Sequence, residues 1–97
     1  MNPTERPAVE TYTALALQLN CHAINRCDSV ETARARMQEN LEHAAERVEG
    51  SRLFLTAFGG AGPRLVVLPE YFLTSFPMGE SIEAWKARAC IDPDGPE

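Results

Sequence analysis

Residues 65–77 read LVVLPEYFLTSFP. Four apolar residues, Leu65 to Leu68, run into Pro69 and the charged Glu70, and Tyr71, Phe72 and Leu73 turn the chain apolar again. A carboxylate in such company is costly unless it is solvated, paired or used. The run LVVL has the length and composition of a strand buried on both faces, an interior position in a sheet. A second strand precedes it in TYTALALQLN, residues 11–20, where Leu15, Leu17 and Leu19 alternate with Ala14, Ala16 and Gln18. Apolar side chains on both sides predict a strand over 13–19 that is covered above and below.

Between the strands lies a helical pattern. Asp28 and Glu31 have capping-box spacing, and Val30, Ala33, Met37, Leu41, Ala44 and Val48 recur every three or four residues as a buried stripe. Arg34, Glu39, Glu42, Glu46 and Arg47 fill the other faces. Gly50 can cap this helix, or LFLTAF can prolong it through a kink; GGAGP, residues 59–63, ends it. Strand, helix and strand predict a crossover with parallel strands, so that the strand ends near Asn20 and Glu70 share one edge of the sheet. Open α/β sheets bind their ligands at that edge. Beyond Pro77, ESIEAWKARA predicts a short helix with Ile82, Trp85 and Ala89 on one side. The proline-containing residues 1–10 read as a flexible leader. DGPE at 94–97 resembles the opening of another helix, and two strands are too few for an independent sheet. Residues 11–97 are therefore expected to be the first part of a larger, truncated α/β domain.

Composition narrows the chemistry. Of 97 residues 44% are apolar and 24% charged, as in a folded globular chain. Fourteen acids against nine bases, eight of them arginine, leave a net charge of −5 and no basic stripe for nucleic acid. Apolar runs fall short of the roughly 18–20 residues that cross a bilayer, and MNPTERPAVE lacks the basic-then-apolar order of a signal peptide. Three cysteines, Cys21, Cys27 and Cys90, make no even framework and suit reduced thiols. A cytoplasmic protein without membrane or nucleic-acid partners is the resulting expectation.

TALALQLN, a long amphipathic helix and then LVVLPEYFLTSFP together resemble the N-terminal third of the carbon-nitrogen hydrolases, the nitrilase and amidase superfamily. The likeness covers roughly residues 12–97, and its most specific part is the apolar strand leading into Pro69-Glu70 with an aromatic residue and Pro77 downstream. Gln18 also fits the family's first strand. Ser75, where a glycine is common, and the long GSRLFLTAFGGAGP segment depart from the pattern. The resemblance implies the β-α-β portion of a four-layer α-β-β-α sandwich, a homo-oligomer, and a glutamate, lysine and cysteine triad without cofactor or metal. Glu70 matches the glutamate, the general base toward a cysteine thiol. A thiolate is the nucleophile, free cysteine is mostly protonated at neutral pH, and a carboxylate shielded by Leu68, Tyr71 and Phe72 could take that proton. In the family a lysine stabilises the oxyanion as a small nitrile or amide is attacked, and water releases the thioester. Lysine and cysteine belong to segments that follow this one in the family.

Lys86 and Cys90, four residues apart on the second predicted helix, are alternative candidates, although their surroundings do not match the family's motifs. CHAINRC, with Cys21, His22 and Cys27, lacks paired metal-ligand spacing and reads as structural thiols with a loop histidine. His43 reads as a solvated helix residue, and Gly59, Gly60 and Gly62 form no phosphate loop without a following GK[ST]. Trp85, Phe72 and Phe76 read as core; Tyr71 is core or a wall of the substrate pocket. A rival from another class is a non-catalytic fragment, or an α/β interaction module that docks its bare sheet onto a partner.

Overall fold

The computed structural model describes residues 8–96, so most of the expected 1–10 leader lies outside the described residues. The elements run β1 (Ala14–Ala16), α1 (Val30–Gly59), β2 (Leu65–Val67) and α2 (Ile82–Ala89). The two strands pair in parallel, with Ala14 opposite Leu65 and Ala16 opposite Val67. Leu17 N–H donates to the Val67 carbonyl at 3.0 Å and Arg64 N–H to that of Thr13 at 2.9 Å, carrying the pairing one step beyond each end.

The expected four-layer α-β-β-α sandwich portion is corrected. The regular structure among the described residues is mostly helical, with 30 residues in α1 alone against three in each strand of a two-stranded sheet. An apolar run such as LVVL reports that a strand can be covered, not that covering elements are present. Leu65, Val66 and Val67 remain 46%, 37% and 51% exposed, so β2 is an edge strand and not an interior one.

Helix α1 starts one residue later than the Asp28 and Glu31 spacing predicts. Ser29 is the N-cap: its hydroxyl accepts from Thr32 N–H at 3.1 Å, and Thr32 Oγ1 accepts from Ser29 N–H at 3.1 Å. This hydroxyl pair closes the capping box, and Glu31 is left in the first turn, where its charge suits the helix dipole. The helix then passes through Gly50 and LFLTAF and stops at Gly60, whose φ of 80° is the left-handed C-cap conformation that glycine adopts without steric cost. Thirty residues make a rod roughly 45 Å long. Only its first half is well covered, and Leu53, Phe54 and Phe58 stay exposed beyond it. No helix among the described residues is long and apolar enough to cross a membrane.

The core sits on that first half. Ile24, Ala33 and Met37 are fully buried, and Cys27, Leu73, Trp85 and Ala89 pack around them. Val30, expected in the buried stripe, is exposed, while Asn40, outside the stripe, is only 3% exposed. Its Oδ1 accepts from His22 N–H at 3.0 Å, and its Nδ2 donates to the carbonyls of His22 at 2.9 Å and Leu73 at 2.8 Å. One side chain thus ties the segment leaving β1 to the segment leaving β2, and Ile24 N–H to the Thr74 carbonyl at 3.1 Å joins them directly. Ile82, expected beside Trp85 and Ala89, faces solvent at 86% exposure because only one side of the short α2 meets α1.

Replacing Asn40 by alanine strands three half-buried backbone groups and should cost about 2–4 kcal/mol. Glu39→Ala, one residue away on the exposed side, should change stability by less than about 0.5 kcal/mol. Urea unfolding midpoints check both, and equal effects would contradict the role given to Asn40.

Candidate functional site

Parallel pairing brings the ends of β1 and β2 to one edge, and Glu70 follows β2 there by three residues. The turn that carries it is compact. Phe72 N–H donates to the Pro69 carbonyl at 3.2 Å and Ser75 N–H to that of Tyr71 at 2.9 Å. Tyr71 and Ser75 have φ of 58° and 63°, the only left-handed non-glycine residues among those described. Held strain of this kind gathers where a chain must present a group in a fixed direction. Thr74, nearly buried, donates its hydroxyl to the Ser75 carbonyl at 2.7 Å, and its own carbonyl is engaged by Ile24.

Glu70 itself is exposed, and among the described residues nothing forms a hydrogen bond or ion pair with its carboxylate. The shielding expected from Leu68, Tyr71 and Phe72 is therefore slight: Leu68 and Phe72 are half-buried, and Tyr71 is exposed. Tyr71 meets Phe76 edge to face with ring centroids 6.2 Å apart, and it does not line the cleft that holds Lys86 and Cys90. Phe76, expected in the core, is exposed, whereas Trp85 does pack on the core.

Lys86 and Cys90 do share a cleft. It measures about 370 Å³ and is lined also by Pro77, Glu80, Ile82 and Trp85. Carboxylate, ammonium and thiol thus border one mostly apolar hollow, and Glu80, the first residue of ESIEAWKARA, is the member that sequence reading did not single out. Its carboxylate is already committed. Asn25 Nδ2 donates to it at 2.9 Å and Met78 N–H donates to the other oxygen, which together hold the Glu80 carboxyl below the usual carboxylate range. Asn25 Nδ2 also reaches the Phe76 carbonyl at 3.0 Å, so Asn25 and Glu80 fasten the 76–80 segment to the loop before α1.

The segment CHAINRC is structural in its contacts. Cys21 Sγ lies 3.7 Å from the Leu19 carbonyl, and burial pushes its thiol up from the ordinary value. Cys27 packs on the core, and His22 engages Asn40 through its backbone. All three cysteines are free thiols. His43 is half-buried beside Arg47 in a polar cleft at the end of β1.

Ser75 occupies a position where glycine pays no steric penalty. Ser75→Gly should raise stability by about 0.5–1 kcal/mol, because relief of the left-handed strain exceeds the added freedom of the unfolded chain. Ser75→Val should lower it. Thermal unfolding checks the pair, and a glycine variant less stable than the parent would contradict the assigned strain.

Compared with protein-family models, with curated proteins and with solved structures, the chain finds no match in any of the three.

Proposed function

We propose that this chain supplies the general base of a hydrolase that cleaves a non-peptide carbon-nitrogen bond, in a small nitrile or amide, through a cysteine thioester. Glu70 is that base. The observation that carries the reading is the parallel pairing of β1 with β2, from which Glu70 follows at the carboxyl edge, on a turn with two left-handed non-glycine residues. The resemblance of LVVLPEYFLTSFP to the carbon-nitrogen hydrolases gives the carboxylate its chemistry. Glu70 accepts the thiol proton, the thiolate attacks the nitrile or amide carbon, and a lysine steadies the charge that develops on the substrate. The thiol and the ammonium come from polypeptide other than the turn that carries Glu70. Its exposure leaves room for such groups to approach. Free thiols suit a cytoplasmic setting, and oligomeric assembly as in the family belongs to the same proposal.

A second reading, docking without catalysis, draws on the surface. Leu53, Phe54 and Phe58 on α1 and Leu65 and Val67 on β2 stay exposed, an apolar surface that a partner could cover. Open edges on both strands would take further apolar strands from a partner polypeptide.

Glu70→Gln separates the two. In active protein containing this chain, the substitution should abolish the burst of acyl-enzyme on an activated amide, since the amide side chain cannot take the thiol proton, while docking persists. An unchanged burst would refute Glu70 as base. The 97 residues alone should show no turnover; activity lost on Cys90→Ser would instead assign the chemistry to the cleft shared by Lys86 and Cys90.

A further inference from the structure

Beyond β1 the chain continues through Leu17, Gln18, Leu19 and Asn20, and α1 runs alongside with His43 and Arg47 one turn apart. These six residues line a cleft of about 230 Å³. Its polar members are a guanidinium, an imidazole and two carboxamides, all able to donate hydrogen bonds. Among the described residues none of the four side chains has a hydrogen bond or ion pair. Among the described arginines only Arg26 shares this: Arg52 is paired with Glu49, Arg34 reaches the Cys90 carbonyl, Arg36 that of Ala23 and Arg88 that of Asn25, and Arg64 lies over the Tyr12 ring. No carboxylate lines the cleft. Glu46, next to Arg47, lines the adjoining hollow between β1 and the second half of α1.

We infer that this cleft binds a small organic carboxylate. A guanidinium offers two parallel donors that match the two carboxylate oxygens, and a chain of net charge −5 leaves few places where an anion is attracted rather than repelled. The imidazole of His43 and the amides of Gln18 and Asn20 supply further donors around the same space. Leu17 and Leu19, half-buried and on one side of the strand path, offer an apolar floor for a carbon stem. The volume is below the roughly 300–1,000 Å³ of drug-sized pockets, which restricts the ligand to a short acid. The site is separate from Glu70 and stands whether or not that residue is a base.

The test is titration of the whole chain with butyrate, followed by NMR of the Gln18 and Asn20 side-chain amides and the His43 ring. Butyrate should shift these signals saturably, and butyramide, of similar shape but uncharged, should not. Arg47 is exposed, so Arg47→Gln keeps the fold, and it should weaken butyrate binding about ten-fold or more. Shifts that do not saturate, equal shifts with butyramide, unchanged affinity in R47Q, or inorganic phosphate binding as tightly as butyrate would each overturn the assignment.

Discussion

The amide of Asn40 holds the carboxyl edge of the sheet together. Its one oxygen and one nitrogen engage three backbone groups, two on His22 and one on Leu73, so that the segments leaving the two parallel strands are bound to α1 and to each other. A hydrophobic side chain at that place would bury more apolar surface but leave those polar groups without partners, at a cost comparable with much of a small domain's stability. The amide sets direction as well as energy. Once His22 and Leu73 are fixed, Ile24 enters the core beside Met37, Thr74 meets Ile24, and the turn from Pro69 to Ser75 has one path.

What Asn40 joins is only half enclosed. The covered part lies where the loop before α1, the turn after β2 and α2 converge on the first half of α1. Beyond it, the second half of α1 stands away from β1 across a cleft of about 320 Å³, and Phe54 and Phe58 pack with their rings tilted by 37° and centroids 4.7 Å apart in solvent contact. The same openness leaves the Glu70 carboxylate without a hydrogen bond or ion pair among the described residues.

Sequence periodicity located the long helix and its stop at Gly59 and Gly60, because spacing and glycine chemistry are local properties. It misread the start by one residue, since Asp28 and Ser29 both suit an N-cap and Thr32, a hydroxyl partner in place of glutamate, decides between them. Asn40 was illegible: an apolar-stripe reading passes over a polar residue, and its partners are 18 and 33 residues away. Glu70 could be found from LVVLPE, since a strand followed by proline and a charge marks an edge, but its exposure depends on neighbours that no local pattern reports. Glu80 opens the same segment as Lys86, but its anchoring was not legible, because its partner Asn25 lies 55 residues away. The four-layer expectation failed on the same ground, as apolar strands state a need for cover without supplying it.

The central claim, that Asn40 fixes the carboxyl edge, is tested most directly by native-state hydrogen exchange of the His22 and Ile24 amides. These belong to irregular segments, yet one donates to Asn40 and the other to Thr74. Protection within about ten-fold of the Met37 amide in the core of α1 is the predicted result, since all three would open together. Exchange of His22 and Ile24 at the rate of an unstructured loop, with Met37 still protected, would contradict the account.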